Sequence, residues 1–558
     1  MTEHLNHLRT RLARGDISRR QFLQQAIALG LSASAALAFL QACTQQQPPA
    51  PGQSSGTAAP NTRAAAVPTP TEKPAPTAAT DGTVRIGSSA EFNLMDPLTN
   101  SFLNDFNLLY VNLYDQLVFR QEDGSLGPGL AESWSLNSPT EWDFKLRQGV
   151  KFQNGEPFNA EAVKFTLDRF LQADDGSPFV KPSIQEAKVL DEYTVRVTTP
   201  KPDPIFLENS LYYVFPVPPK YTEEVGREGF SKHPVGTGPF KFVEWAKGDH
   251  LTLERFPDYW QGAPKIERVT FKIIPEIATR VAGLQAGELD LIMQLTPDQI
   301  PTLESFNARA VGAPVPRIIY LITFPDSPTG SGTPLKDKRV RQALNYAINV
   351  DSIIKNILLG QATRIATLAP PLAFGYDPNV TPYPYDPDKA KQLLADAGFP
   401  DGFNIDLDVP TGGNPLKPVE VGQAIAADLG KVGVNPNLRT IEAASYITYR
   451  NEKKMAPLFL WNWYGYDAHL QMWGGLSPDF KFAFWSDPRT SELLEKEATS
   501  MDPKERQAAL AELQQIVKDE SWFVPLYQQN EIYGVSNRLA WERDYGGHVW
   551  LWDASLKG

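Results

Sequence analysis

Gly129-Leu130-Ala131-Glu132-Ser133-Trp134, followed by Trp142-Asp143-Phe144-Lys145-Leu146-Arg147-Gln148-Gly149-Val150-Lys151-Phe152-Gln153-Asn154-Gly155-Glu156-Pro157-Phe158, is the stretch on which the fold turns. Trp142 to Leu146 alternates apolar and polar residues, the period-two pattern of a half-buried strand. Arg147-Gln148-Gly149 closes it. Asn159 then stands where a helix cap belongs, ahead of a helix from Ala160 through Leu171 with Val163, Leu167 and Phe170 on one face. Strands interleaved with helices of this kind make α/β lobes.

The same two periodicities recur outward from this stretch. Thr83 to Gly87, Asp191 to Thr198, Leu251 to Glu254 and Val269 to Ile273 read as strands. Val340, Leu344 and Ile348 mark a helix. Asp386-Pro387 starts another, with Ala390, Leu393, Leu394 and Ala397 inward and Gly398 as its stop. Asp502-Pro503 starts a third, carrying Leu510, Leu513 and Val517. At 558 residues the chain has room for roughly three to five domain-sized units.

Composition removes several functions. Lys+Arg 53 against Asp+Glu 65 gives a net charge of −12, which argues against nucleic acid, whose binding needs a basic face. A single cysteine, Cys43, excludes an intrachain disulfide and a cysteine-based metal site. The histidines His233, His250, His469 and His548 are scattered and form no metal-binding spacing. Gly236-Thr237-Gly238-Pro239 lacks the lysine and the further glycine of phosphate-binding loops. Gly52-Gln53-Ser54-Ser55-Gly56 fits a nucleophile pattern, but no strand or helix flanks it. The sequence offers no catalytic constellation, no cofactor motif and no metal site.

The N-terminus reads as an address. Ser18-Arg19-Arg20-Gln21-Phe22-Leu23-Gln24 precedes an apolar run, Ala26 to Leu40, which is too short for a bilayer span. With Arg19 and Arg20 it resembles a twin-arginine export signal. Leu40-Gln41-Ala42-Cys43 resembles a bacterial lipobox, which implies lipid attachment at Cys43 and anchoring to a membrane without spanning it. From Thr44 to Thr80 the chain has eight prolines and one large apolar residue, Val67, so a disordered spacer is expected.

The stretch from Gly129 to Phe158 resembles the most recognisable segment of the family 5 extracellular solute-binding proteins, the dipeptide, oligopeptide and nickel-type receptors of ABC importers. Further matches follow in family order: Pro234 to Phe240, Glu254 to Pro264, Thr279-Arg280 with Leu284 to Asp290, Arg339 to Asp351, and Tyr385 to Gly398. The resemblance implies an α/β, two-lobe periplasmic-binding-protein-like fold of the cluster C type with an extra small α/β subdomain. It implies a signal peptide over 1–42, a lipidated tether over 43–80, and a first lobe from 81–124, 232–320 and 520–558. The subdomain would be 125–231 and the second lobe 321–519. It further implies an exported monomer, anchored on the outer face of the cell membrane, that closes on a peptide. The peptide would pass to an integral-membrane ABC permease, with no reaction catalysed and no cofactor.

The ligand end is read from Leu458 to Leu470, which resembles the family's pocket segment, "GW-x-x-D-x-x-DP". In the peptide binders, the aspartate three residues after the tryptophan pairs with the peptide ammonium. Aligning Trp461 puts Tyr464 there; aligning Trp463 puts Tyr466 there; Asp467 matches the second aspartate or supplies the charge itself. Trp461 and Trp463 share one strand face and, with Trp473, Phe482, Phe484 and Trp485, suit either peptide side chains or sugar rings. Glu91, Phe92 and Asn93 resemble the cleft-edge loop of the first lobe. A peptide receptor, an oligosaccharide receptor and, distantly, a secreted hydrolase stay open.

Overall fold

A computed structural model describes residues 82–92, 95–99, 105–121, 123–174, 177, 180–480, 483–542 and 547–557. The export signal with Arg19 and Arg20, Cys43, the spacer, Asn93 and Phe482 lie outside the described residues.

The segment from Ala131 to Phe158 folds as its pattern requires. Glu141–Leu146 is a strand whose Trp142, Phe144 and Leu146 are buried while the residues between face outward. It pairs with Ala131–Ser138 and Thr194–Thr198, and Glu186–Asp191 completes a four-stranded antiparallel sheet. On the outer face the Arg196 guanidinium meets the Asp143 carboxylate at 2.6 Å. The helix Ala160–Gln172 is capped by Asn159, whose side chain accepts from the Ala162 amide. It lays Val163, Leu167 and Phe170 on the sheet in one core with Phe144, Phe152 and Phe158. Burying each such side chain contributes about 1.5–3 kcal/mol.

One sequence expectation needs correcting. Asp191 to Thr198 is not one strand but the turn of a hairpin followed by the strand Thr194–Thr198. Asp191 Oδ1 accepts from the Tyr193 amide at 2.9 Å, an Asx turn. Turn residues are polar here, so the alternation runs on unbroken through the reversal.

Among the described residues, the body is organised by an eleven-stranded mixed sheet. Its order is Val434–Ile441, Phe403–Pro410, Leu458–Tyr464, Ala308–Thr323, Phe523–Ser536, Leu291–Ile292, Thr83–Ser88, Arg268–Ile273, His250–Arg255 and Phe240–Ala246, with Ala362–Arg364 also paired to Phe523–Ser536. Two long strands, Ala308–Thr323 and Phe523–Ser536, run antiparallel through its middle. Their first half, Ala308–Pro314 against Asn530–Ser536, adjoins a core of Val84, Ile86, Leu251, Phe271 and Val535. Their second half, Arg317–Ile322 against Phe523–Gln529, is covered on both faces. Ile319 and Leu321 join one core with Leu407 and Leu460; Ile318 and Tyr320 join another with Phe459, Leu510 and Leu513. Between the halves the register shifts, at Pro314 to Arg317. Pro314 and Pro316 cannot donate ladder hydrogen bonds, which suits a break in the pairing.

Local signals place the helices around this sheet. Pro387–Asp396 is capped by Asp386 and ends at Gly398, whose φ of +92° is the left-handed stop a glycine permits. In that helix Ala390 and Leu394 are buried, whereas Leu393 and Ala397 are only half-buried. Pro503–Glu520 is capped by Asp502 and buries Leu510, Leu513 and Val517. Lys338–Ala347 buries Val340 and Leu344; Ile348 lies just past its end, also buried. The Gly236-Thr237-Gly238 turn is a docking device. A Cβ on Gly236 would lie 2.2 Å from the Leu113 carbonyl oxygen. The Gln153 side chain locks the turn, donating to the carbonyls of Leu113, Gly238 and Phe240 and accepting from the Gly236 amide.

Candidate ligand-binding seam

The strand Leu458–Tyr464 sorts its residues onto two faces, and the sorting decides what each can reach. Trp461 lies opposite Tyr320 and Trp463 opposite Ile318, so both indoles point to the face covered by helices. There Trp461 stacks nearly parallel on Tyr446, 6.2 Å between centroids. The Arg450 guanidinium lies 4.5 Å from the Trp461 ring, 5.7 Å from Trp463 and 5.9 Å from Phe480. Cation–aromatic attraction offsets part of the cost of burying this charge. Burial pushes Arg450 down to about 10, and it stays protonated at neutral pH. The other described aromatics are likewise half-buried and have partners on this face: Trp473 stacks on His469, Phe484 meets Phe324 and Phe459 edge-on, and Trp485 donates to the Thr323 carbonyl at 2.7 Å.

On the opposite face, at the end of the strand, Arg317 lies across from Tyr464. Arg317 is 5% exposed. It donates from Nη1 to Asn462 Oδ1 at 3.1 Å and from Nη2 to Glu531 Oε1 at 3.4 Å, and its guanidinium sits 5.4 Å from the Tyr464 ring. Tyr464 meets Tyr466 edge-to-face at 5.9 Å. Burial raises both phenol pKa values, so both are neutral at physiological pH.

Tyr466 is where the second half of the molecule meets the first. The Arg120 guanidinium, from the short hairpin Val118–Arg120 and Leu126–Pro128, lies 4.0 Å from the Tyr466 ring and 4.9 Å from the Tyr212 ring. Arg120 also pairs with Glu208 Oε2 at 2.5 Å and donates to the Gly124 carbonyl at 2.7 Å. Tyr212 Oη bonds His548 Nε2 at 2.7 Å. A chain of contacts thus runs Arg317, Tyr464, Tyr466, Arg120, Glu208 across the seam.

Asp467 follows at once and is engaged within its own half. It is 1% exposed, caps the helix Ala468–Leu476 by accepting from the His469 amide at 2.9 Å, and takes Arg506 Nη2 at 3.0 Å on both oxygens. Arg506 also meets Glu497 at 3.2 Å, and Glu497 bonds His469 Nδ1. Burial raises the Asp467 pKa, with Arg506 opposing. Glu91 accepts from Trp245 Nε1 at 3.1 Å and from the Gly248 amide, tying its loop to the hairpin 240–255. Phe92 is 1% exposed, edge-on to Phe271 in the core. Among the described contacts, neither Glu91 nor Phe92 reaches the Tyr464–Tyr466 pair.

The structure therefore brings Tyr464 and Tyr466 to the seam and gives Trp461, Trp463 and Asp467 partners inside the second half. Arg120, Arg317, Glu208 and Tyr212 escaped sequence reasoning. Arg317 carried a readable signal, a lone charge heading the apolar run Ile318-Ile319-Tyr320-Leu321-Ile322. Arg120 and Glu208 carried none, since what selects them is distant in sequence. Among the described residues, no group of three His, Cys, Asp or Glu side chains forms a metal site.

A sheet crossed by two long strands, with a polar and aromatic seam beside the crossing, is the architecture of a two-lobed solute-binding protein. The chain belongs to the bacterial extracellular solute-binding proteins of family 5, whose model matches residues 125–481. It is 30% identical over 484 residues to the glutathione-binding protein GsiB of Salmonella typhimurium, covering 83% of this chain and 91% of that protein. Among solved structures it is similar to the ABC transporter substrate-binding protein CtaP of Listeria monocytogenes, with a TM-score of 0.77, 25% identity, and coverage of 85% of this chain and 99% of that one. It is also similar to the periplasmic binding protein DppA of Helicobacter pylori in complex with the peptide STSA, with a TM-score of 0.69, 25% identity, and coverage of 86% and 98%.

Proposed function

We propose that this chain is an extracytoplasmic receptor that captures a peptide between two lobes and delivers it to the permease of an ABC importer. The observation that carries this reading is the seam itself, where Arg120 of one half lies on Tyr466 of the other. Such a contact forms and breaks if the halves swing about the two long strands, at the shifted register between Pro314 and Arg317. We assign the first lobe to about 81–124, 232–314 and 530–558, the subdomain to 125–231 and the second lobe to 317–529; the boundaries expected at 320 and 520 move because Ile318–Ile322 and Phe523–Leu526 pack in cores with Leu407, Leu460 and Leu510. The similarity to a glutathione-binding and a peptide-bound protein supports a peptide ligand.

The oligosaccharide reading rested on the neutral Tyr464 and on the cluster of aromatic side chains. Trp461 and Trp463 instead flank Arg450, which leaves the peptide reading the better supported. The receptor reading assigns no catalysed reaction to the seam. In the same reading the protein is a monomer, exported through the signal at Arg19 and Arg20 and held on the membrane by lipid at Cys43. The test is a thermal-shift screen of the purified protein with di- to pentapeptides, glutathione, and cello- and xylo-oligosaccharides. A ligand that binds only the folded state raises its stability by about RT ln(1+[L]/Kd). A rise with peptides supports the reading; a rise with oligosaccharides alone overturns it.

A further inference from the structure

The seam carries more acids than bases. From the first half, Glu208 meets Arg120 at 2.5 Å, and the Asp203 carboxylate accepts from the Ile205 amide at 3.1 Å. From the second half, Asp467 and Glu497 share Arg506, at 3.0 and 3.2 Å. The two sets face each other. Asp203 is within electrostatic reach of His469, and Glu208 of Asp467 and Arg506. Met501, just ahead of the helix Pro503–Glu520, packs on the subdomain core that holds Phe206 and makes a further contact between the halves. Arg317 and Glu531 balance each other. The remaining four carboxylates are set against two guanidinium groups, with the exposed Lys201 near Asp203.

One titratable group stands among them. His469 is 8% exposed, bonds Glu497 through Nδ1 and stacks on Trp473. It is contributed by the second half, whereas Asp203 comes from the first. Like charges brought together out of water repel strongly, and closure is the step that brings these acids together. A proton relieves the repulsion on either partner. On His469 it makes an imidazolium that attracts both Glu497 and Asp203; on Asp203 it removes one of the four negative charges. The two titrate as a unit. Burial raises the Asp203 carboxyl above its ordinary value, with His469 opposing, and raises Glu208 with Arg120 opposing.

We propose that bringing the halves together takes up a proton at the Asp203–His469 contact, so that acidity favours the closed receptor and rising pH loosens it. The inference rests on the two-lobe reading above and adds a pH response to it. The sign follows from linkage. A carboxyl raised on closing, or a histidine that gains acidic partners, favours the closed form at low pH and loses that contribution as pH rises through its closed-state value. For one proton the closed-to-open ratio changes by up to about tenfold per pH unit.

The test reads the distance between halves in the full chain without ligand, from pH 8 to 5. Dyes sit at Leu136→Cys and Ile447→Cys, exposed positions on the subdomain and the second lobe, with Cys43→Ser. Single-molecule energy transfer should show the short-distance population growing as pH falls. Asp203→Asn needs no proton, so it should be more closed than the native protein at pH 8 and respond little to pH. His469→Gln cannot hold the proton, so it should be less closed than the native protein at neutral pH. Lost packing would shift both variants the same way, and such a result overturns the inference. If one variant melts early, the direction taken by the other still decides. A pH response unaltered in both variants also overturns it, because the proton then binds elsewhere. A distance indifferent to pH but shortened by Ala-Ala-Ala or glutathione overturns the inference and leaves the receptor standing. A distance that answers neither pH nor peptide contradicts closure itself, and the inference with it.

Discussion

Asp115 is buried in the first lobe, where its carboxylate accepts from Tyr259 Oη and Trp260 Nε1, both at 2.9 Å. Desolvation dominates these hydrogen bonds and raises its pKa to about 6. A folded-state pKa above the unfolded one means the group favours folding below about pH 4 and loses that contribution as pH rises through about 6. The loss is on the order of 3 kcal/mol, at about 1.4 kcal/mol per pH unit. Urea midpoints of the native protein and of Asp115→Asn, measured from pH 4 to 7, should converge on different slopes. The native protein loses this contribution over that range and the variant does not; parallel curves would contradict the assignment. A second residue separates packing from binding. Trp461 and Tyr446 stack, with Arg450 over the indole, so Trp461→Ala should cost about 2 kcal/mol or more of stability. Thermal unfolding without ligand checks this. An unchanged midpoint with weakened binding would return Trp461 to the ligand wall.

Elements are joined here by close backbone contacts that tolerate little. The turn at Gly236 lies on the Leu113 carbonyl, and Gln153 satisfies polar groups on both. Gly236→Ala should destabilise the first lobe by about 1–3 kcal/mol through overpacking. Gln153→Ala should cost about as much by leaving buried carbonyls unmet. Denaturant titration of each variant reads both, and neutral outcomes would mean the turn is free to move. At this scale the sequence was legible wherever structure depends on a few neighbouring residues. Asn159, Asp386 and Asp502 announce helix starts because a cap bonds an amide two or three residues on. The hairpin at Asp191 to Tyr193 was not legible, because its turn keeps the polar–apolar rhythm of the strands it joins. The side of the sheet taken by Trp461 and Trp463 depends on pairing with Ala308–Thr323, which no local pattern records.

Across the whole molecule, the halves share two continuous strands whose ladder breaks between Pro314 and Arg317, beside a seam closed by Arg120 on Tyr466. Overall fold was legible because its ordered motifs are turns, caps and core faces. The seam was legible only at Tyr464 and its neighbours, since Arg120 and Tyr466 are brought together by the path of the entire chain. In the receptor reading, Cys43→Ser should release the protein from the membrane fraction while leaving its thermal unfolding unchanged; retention would contradict the anchor. The most direct test of the central claim is the distance between halves. Cys43 is the chain's only cysteine, so probes can be placed at chosen sites once it is replaced by serine. Leu136→Cys and Ile447→Cys, both at exposed positions, carry a fluorescent pair on the small subdomain and the second lobe. Single-molecule energy transfer is then recorded while the tightest-binding peptide of the thermal screen is titrated. Two-lobe closure predicts a shift to a shorter distance, with a midpoint equal to the calorimetric Kd. One unchanged distance at saturating peptide would contradict it.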